Sequence, residues 1–265
     1  MGVRQIFVFD DISSLEEAAA REVVRTARNA VSRRGVCHVV LAGGSTPRGV
    51  YARLSEEPHR GRIDWSKVRL FWGDERCVPP DDPKSNYRMA HEALLSRTPL
   101  HESSVHRIHV ELGPERAAAA YEEEIRAVVG GATPRFDLIL LGMGADGHTA
   151  SLFPNTPALR QVRQEPRLVA PTVAPSPPRR RVTLTLRAIN AARKVLFLVA
   201  GGKKARTLAR VFEEGGRTSE GSLPASLVRP PKGRLLWMVD RAAAARSSSA
   251  GNIGFPNGGR FFCLL

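Results

Sequence analysis

Short apolar runs rich in Val, Leu and Phe alternate along this chain with longer amphipathic stretches, and glycines follow several of the runs. The clearest runs are 39–42, 68–72, 136–141 and 195–199. Runs that are apolar throughout are typical of parallel strands covered by helices on both faces. Repeated strand–loop–helix units join through right-handed crossovers into one sheet. The pattern therefore predicts an α/β fold, with an open, mostly parallel Rossmann-like sheet and helices on both faces.

Local features of the sequence place several further elements. Ser85 is the expected N-cap of a helix over 86–95, and the Ala- and Glu-rich segment 114–129 is strongly helical. A short strand is expected over 107–110, and the alternation in 182–186 is typical of an exposed or edge strand. The other expected elements are helices over 48–56 and 203–213, a strand over 235–239, and a final helix that starts at Asp240.

The length of 265 residues suits one α/β domain, which we expect over 1–246. The segment 247–265 is rich in Gly and Ser and is expected to be an irregular tail, either disordered or docked on a partner. No apolar run is long enough to span a membrane, and residues 1–10 lack the apolar stretch of a signal peptide. We therefore expect a cytoplasmic protein without a membrane partner, and we favour a monomer.

The chain is strongly basic, with 40 Lys and Arg against 26 Asp and Glu and a formal net charge of +14. Such a balance is common among nucleic-acid-binding proteins. Here the arginines are dispersed, and only 6% of the residues are aromatic, which leaves few rings to stack on bases. We therefore expect no nucleic-acid partner. A basic surface also suits a small anionic substrate.

The chain lacks the cysteine and histidine patterns of common metal sites. Cys37, Cys77 and Cys263 form no CxxC pair, and the seven histidines include no HExxH motif. We expect no metal site. Neither Ser45 nor any cysteine lies in a recognisable nucleophile motif, so water is the expected nucleophile.

The first of three polar loops is Gly43-Gly44-Ser45-Thr46-Pro47, which follows an apolar run and precedes a helix. Glycines there allow backbone N–H groups to face one point, and the start of the helix adds its positive end. The loop lacks the lysine of a nucleotide P-loop. Two interpretations stay open, a site for an anion with Ser45 and Thr46 as donors, and an ordinary capped glycine turn.

The second loop contains Asp74, Glu75 and Arg76 after the run 68–72. Two adjacent carboxylates repel each other if both are buried, and an arginine offsets that cost or binds a phosphate through two hydrogen bonds. Taken alone, the pattern favours a solvated acidic turn with an ion pair.

The third loop, 142–154, is the most informative, because His148 lies among glycines at the end of a buried run. Such a histidine is poorly placed for packing, and imidazole ionises near neutral pH, which suits a general base. Gly144 and Gly147 leave room for a substrate and expose backbone donors. Asp146 is positioned to fix the tautomer of the ring.

Two cationic positions lie farther along the chain. Arg181 precedes an expected strand, and Lys203 and Lys204 open a helix after a Gly-Gly pair. Basic side chains at the start of a helix oppose its dipole, so a nearby anion would explain them. Two solvated lysines remain an alternative.

Together these stretches resemble the 6-phosphogluconolactonase family. The matching segments occur in the family's order before residue 246 and are 41–54, 71–95, 136–154, 181–205, 223–230 and 237–244. The resemblance implies a fold shared with glucosamine-6-phosphate deaminases and ribose-5-phosphate isomerases. It also implies hydrolysis of 6-phosphoglucono-δ-lactone to 6-phosphogluconate in the oxidative pentose phosphate pathway, without a cofactor.

The resemblance assigns roles to individual positions. It places the catalytic histidine at His148. It places the phosphate and sugar contacts at the loop Gly43–Thr46, Arg76, Arg181 and Lys204, with Lys203 as an alternative to Lys204. We also expect Asp74, Glu75, Gly144 and Gly147 to be among the substrate-binding residues. Asp146 would orient the imidazole, with Asp74 or Glu75 as less favoured candidates, and amides near Gly144 and Gly147, or a basic side chain, would stabilise the oxyanion.

This chain departs from the family at three places. Cys77 stands where an aromatic residue is common, Asn155 stands where a glycine is usual, and the segment after Arg246 does not resemble the family's last helix. These departures affect the loops and the tail more than the chemistry.

Three other functions were weighed. An aminosugar-phosphate deaminase of the same fold carries a glutamate soon after the glycine–histidine pair, where this chain has Ser151–Pro154 without an acid. A basic nucleic-acid-binding protein leaves the His148 loop unexplained. A scaffold without activity is disfavoured by the intact catalytic positions.

Overall fold

The computed structural model describes residues 4–156, 159, 166–214, 221–247, 253–254 and 260–262. Among them, seven parallel strands form the centre of a sheet in the order β1-β10-β9-β6-β2-β3-β5. Their bounds are β1 (Arg4–Phe9), β2 (Cys37–Leu41), β3 (Val68–Trp72), β5 (Val105–His106), β6 (Leu138–Gly142), β9 (Lys194–Val199) and β10 (Arg234–Asp240). Every residue of β2 and β9 is buried, as expected for strands covered on both faces. The predicted α/β fold is therefore confirmed.

The helices that connect these strands begin and end at local caps. Asp11 accepts a hydrogen bond from the amide of Ser14, and Gly35, at φ 76°, ends the same helix in the left-handed region. The helices are α1 (Ile12–Arg34), α2 (Ser45–Leu54), α3 (Asn86–Ala93), α4 (Pro114–Val129), α5 (Leu186–Ala191), α6 (Ala205–Glu214) and α7 (Arg241–Ala244). In the described ranges, no helix combines the length and the apolar character needed to cross a membrane.

A second, antiparallel sheet lies beside the first, with strand order β4-β8-β7. Its strands are β4 (Asp74–Arg76), β7 (Val169–Val173) and β8 (Arg180–Leu184). The expectation of an exposed or edge strand at 182–186 is wrong, because β8 is the central strand and Val182, Thr183 and Leu184 are fully buried. The alternation is misleading because the Thr183 hydroxyl is satisfied inside the protein, where it accepts from the amide of Ser151.

Two other elements depart from the predictions by more than small shifts of their ends. The prediction of a strand over 107–110 is wrong. The strand in this region is β5, at Val105–His106, and Val110–Leu112 forms a single 3-10 turn. Helix α2 begins at Ser45 rather than at residue 48. The earlier start places Ser45 and Thr46 in the first turn of the helix.

The last segment contains two short strands where the sequence predicts no regular structure. They are β11 (Ile253–Gly254) and β12 (Arg260–Phe262), and β12 pairs antiparallel with β1. The remainder of 248–265 lies outside the described residues. The strand β12 extends the sheet beyond β1.

Candidate active site

The three polar loops meet at the carboxyl edge of the parallel sheet. The amide of Gly73 donates to the carbonyl oxygen of Leu41 at 2.9 Å, which joins the loops after β3 and β2. A Cβ atom added to Gly142 would lie 3.9 Å from the carbonyl oxygen of Gly43, so the loop after β6 is also adjacent. This edge is where open α/β sheets bind their ligands. The structure thus brings together the loops that the sequence singled out.

Asp74 is the residue that ties these loops together. Its Oδ2 accepts from the Oγ of Ser151 at 2.5 Å, and its Oδ1 accepts from the side-chain amide of Asn86 at 3.2 Å. The Oδ1 of Asn86 leaves no space beside Gly43, where a Cβ would come within 2.1 Å of it. Asp74 is 7% exposed, and both of its carboxylate oxygens are occupied by the protein. We therefore assign Asp74 a positioning role in place of the substrate contact expected from the sequence.

Ser151 and Asn86 were missed by the reasoning from sequence. Both lie inside the stretches that carry the family resemblance, at 136–154 and 71–95. Ser151 contacts Asp74 across 77 positions and Asn86 contacts it across 12, and a local pattern reveals neither contact.

Ser151→Ala is expected to lower the free energy of unfolding by about 1–3 kcal/mol, because it leaves a buried carboxylate oxygen without its donor. Urea denaturation measures the change. The exposed Ser96, whose side chain has no hydrogen bond to any described residue, gives the control Ser96→Ala, which should remain close to the parent. Equal stabilities of the two variants would contradict the role given to the bond with Asp74.

Glu75 is also held by the protein. Its Oε1 accepts from the amides of Arg76 and Asn86, both at 2.8 Å, and its Oε2 accepts from the amide of Tyr87 at 2.7 Å and from Ser85. Burial raises the pKa of Glu75, although these hydrogen bonds oppose the shift. The carboxylate thus stabilises the start of α3. Because both of its oxygens already accept hydrogen bonds from the protein, we do not propose that Glu75 contacts substrate.

His148 and Asp146 form a hydrogen-bonded pair at the rim of the site. The Nδ1 of His148 and the Oδ1 of Asp146 are 2.5 Å apart, and the His148 backbone amide donates to the same oxygen at 3.2 Å. Burial acts to raise the pKa of Asp146, but the hydrogen bonds and the charge of His148 outweigh it and lower that pKa. The contact occupies Nδ1, and Nε2 has no hydrogen-bond partner among the described residues. The imidazole is therefore oriented with one nitrogen available.

The surroundings of the imidazole leave its open side accessible. The His148 side chain is 33% exposed, and its ring packs on Phe153 with the centroids 4.6 Å apart. Asp74 and Glu75, the less favoured orienting residues, have other partners. The structure therefore shows Asp146 as the carboxylate that contacts His148.

Gly144 and Gly147 shape this loop through their lack of a side chain. A Cβ on Gly144 would come within 2.1 Å of the Nδ1 of His148, and Gly147, at φ 84°, lies against Leu223. The amide of Gly144 donates to the carbonyl of His148 at 2.9 Å, and the amide of Gly147 donates to the carbonyl of Gly144 at 3.0 Å. Both amides therefore donate within their own loop in this structure.

Arg76 and Arg181 lie opposite each other on β4 and β8. Arg76 donates to the carbonyl of Lys84, Arg181 donates to the carbonyl of Pro178 at 2.6 Å, and the Nε of Arg76 is buried without a partner. Burial, followed by the charge of Arg76, lowers the pKa of Arg181. Neither arginine forms an ion pair with a described carboxylate. Two like charges in direct cross-strand register are unfavourable unless an anion offsets them.

The start of α2 and the turn before α6 add further donors. Gly44, at φ 109°, is the N-cap of α2, so the amides of its first turn, including those of Ser45 and Thr46, have no partner within the helix. Burial lowers the pKa of Lys204, while Asp240 opposes that shift, and Lys203 is exposed. This burial favours Lys204 over Lys203 as the lysine that faces an anion.

Among the residues described, no three His, Cys, Asp or Glu side chains are grouped so that they could hold a metal ion. The polar groups at this edge are an imidazole–carboxylate pair, two arginines, a lysine and the start of a helix. Their chemistry suits a small phosphorylated molecule that undergoes proton transfer.

Comparison with known proteins identifies the family. Residues 10–237 match the model of the glucosamine-6-phosphate isomerases/6-phosphogluconolactonase family. The chain belongs to this family. Within it, the chain is 40% identical over 251 residues to the 6-phosphogluconolactonase of Streptomyces coelicolor, covering 91% of this chain and 94% of the relative. The 6-phosphogluconolactonase of Synechocystis is 39% identical over 243 residues, covering 90% and 96%.

Solved structures of the family agree with the fold. The 6-phosphogluconolactonase of Thermotoga maritima superposes with a TM-score of 0.77 at 34% identity, covering 90% of this chain and all of that one. The Trypanosoma brucei 6-phosphogluconolactonase gives a TM-score of 0.79 at 30% identity, covering 92% and 99%. The predicted family membership is thus confirmed.

Proposed function

We propose that this protein hydrolyses 6-phospho-D-glucono-1,5-lactone to 6-phosphogluconate, as a step of the oxidative pentose phosphate pathway. Its relatives are named as 6-phosphogluconolactonases, which agrees with the prediction of a lactone hydrolase. The observation that carries the proposal is the His148–Asp146 hydrogen bond of 2.5 Å, which leaves Nε2 available beside loops that present cationic groups. No cofactor enters the proposed reaction.

The chemistry begins at the imidazole of His148. Its Nε2 accepts a proton from a water molecule as the water attacks the lactone carbonyl carbon. The C1–O bond to the ring oxygen then breaks, and His148 returns the proton to the departing oxygen. Asp146 holds the proton on Nδ1 and stabilises the imidazolium between these two transfers.

The tetrahedral intermediate carries a negative charge that needs a donor. The amides of Gly144 and Gly147 donate hydrogen bonds within their own loop, so we assign stabilisation of the negative charge to other groups. The half-buried Lys204 is the candidate we propose, because the helix after its turn contacts the His148 loop through a hydrogen bond from Thr207 to the carbonyl of Ala145. One such donor is typically worth about 3 kcal/mol in the transition state.

The phosphate end of the substrate is assigned to Arg76 and Arg181, with the start of α2 beside them. Guanidinium groups bind phosphate oxygens in pairs, and the amides and hydroxyls of Ser45 and Thr46 supply further donors. Binding at a phosphate several bonds from the carbonyl orients the reacting carbon without taking part in the chemistry.

A pH-stat assay of freshly prepared lactone tests the proposed activity. The enzyme should accelerate acid release above the spontaneous rate of ring opening, which a blank without protein measures. Glucosamine 6-phosphate should yield no ammonia. Ammonia release without lactone hydrolysis would replace the proposal with a deaminase.

Arg181→Ala is expected to raise KM about 10–100-fold and to change kcat much less, since the lost hydrogen bonds to a charged group contribute about equally to the ground state and the transition state. Initial rates over a range of lactone concentrations give both constants. Arg187→Ala removes an exposed arginine from α5 and should leave both unchanged. A fall confined to kcat would place Arg181 in the chemical step.

A further inference from the structure

A cationic cavity lies on the face of the protein formed by α1 and the segment after α2. It has a volume of about 450 Å³, and its lining includes Arg21, Arg25 and Arg28 of α1 together with His59 and Arg62. Four exposed arginines and the buried His59 thus line one space. The proposed function uses none of them.

The topology separates this cavity from the candidate active site. Helix α1 follows β1 and returns to the start of β2, so its second half lies towards the amino edge of the parallel sheet. Likewise, 59–62 lies between the end of α2 and the start of β3. The candidate active site occupies the opposite, carboxyl edge. An anion in the cavity would therefore not compete with the lactone for the same groups.

The charges that line the cavity are only partly balanced. Arg21 pairs with Glu17 at 3.2 Å and Arg25 pairs with Glu22, but Glu22 also binds Lys194. Positions 21, 25 and 28 share one face of α1, where like charges repel. Repulsion along this face favours an occupant of opposite charge.

Among the residues that the structure describes, two arginines of the lining and one buried imidazole nitrogen have no hydrogen-bond partner for their side-chain atoms. Arg28 and Arg62 form neither an ion pair nor a side-chain hydrogen bond with any described residue. His59 is 4% exposed, and its Nε2 contacts Glu17 at 3.1 Å, while its Nδ1 is buried without a hydrogen bond. The charges of Arg28 and Arg62, both exposed side chains of the cavity lining, therefore remain available to an anion.

We propose that the cavity binds a small anion that carries two linked phosphoryl groups. Guanidinium groups bind phosphate oxygens in pairs, and Arg28 and Arg62 offer two such groups without a carboxylate partner among the described residues. The volume lies in the range of small-molecule sites. The site is a second, non-catalytic anion site of the enzyme.

Isothermal titration calorimetry of the full chain with sodium pyrophosphate tests the proposal. The double variant Arg28→Gln/Arg62→Gln should weaken one binding event about 100-fold, from the loss of two charge-assisted contacts. Arg97→Gln/Arg116→Gln removes two exposed arginines with the same change in net charge and should bind like the parent. Circular dichroism establishes that each variant is folded.

Parallel titrations distinguish the cavity beside α1 from the candidate active site. Arg181→Ala should retain the binding event that the double variant loses, and the double variant should retain the parent's kinetic constants for lactone hydrolysis without pyrophosphate. Equal pyrophosphate affinities for the parent and the double variant would overturn the proposal, as would a single event lost in Arg181→Ala. Binding of a DNA oligonucleotide without pyrophosphate binding would overturn it in favour of a nucleic-acid surface. The calorimetric result does not depend on whether lactone hydrolysis is observed.

Discussion

Replacing His148 with alanine is expected to lower kcat by about 10²–10⁴-fold while KM and the free energy of unfolding stay near those of the parent. The loss follows from removal of the group that we propose takes a proton from water and returns it to the ring oxygen. The side chain is 33% exposed and its polar contact is with Asp146, so its removal opens no large cavity.

Stopped-flow measurement of acid release, corrected for spontaneous opening, gives the rate for this variant. His91→Ala removes an exposed histidine of α3 and should retain the parent's activity. An active His148→Ala enzyme would refute the assignment of the general base. Inactivity of both variants would point instead to general damage of the fold.

Gly144→Ala is expected to reduce kcat about 10²-fold, a loss comparable with that of deleting the base. The added methyl group would lie 2.1 Å from the Nδ1 of His148 and 2.5 Å from the Oδ1 of Asp146, so the ring and its partner must separate. A displacement of about 1 Å at a reacting group costs a factor of this size.

Gly142→Ala provides a matched control within the same loop, because its added methyl group would meet its nearest neighbour at an ordinary 3.9 Å. That variant should keep most of the parent's kcat. Equal activity in Gly144→Ala and the parent would show that the distance between Gly144 and the imidazole is not needed for catalysis.

The sequence predicted the sheet well and the small antiparallel sheet poorly, for a physical reason. Runs such as 195–199 are apolar throughout because both faces of the strand are covered, so the burial is visible in the sequence itself. Thr183 is fully buried but polar, and its hydroxyl is satisfied by the amide of Ser151 from another loop. A pattern of neighbours along the chain cannot show that bond.

The contacts of the candidate site also fall into two groups, those that the local sequence suggested and those that only the folded chain creates. His148 and Asp146 are two residues apart, so local sequence was enough to suggest their contact. Asp74 and Glu75 were recognised as unusual, but their partners are Ser151, Asn86 and the amides at the start of α3, which only the folded chain brings near. The carboxylates predicted to contact substrate therefore support the loops instead.

Asn155 shows how a departure from the family's pattern is accommodated. The residue adopts φ 58°, in the left-handed region that glycine occupies freely. Asparagine is among the few other residues that enter this region at low cost. The replacement of the usual glycine thus preserves the backbone path after Pro154.

The base and its carboxylate lie on a single turn of backbone, with one residue between them, and the amide of His148 shares the same oxygen of Asp146. Small movements of the domain, or of one strand against another, displace His148 and Asp146 together. Their mutual alignment therefore survives fluctuations that would disrupt a pair assembled from distant segments. The rest of the fold must therefore keep constant the distance between this turn and the guanidinium groups of Arg76 and Arg181.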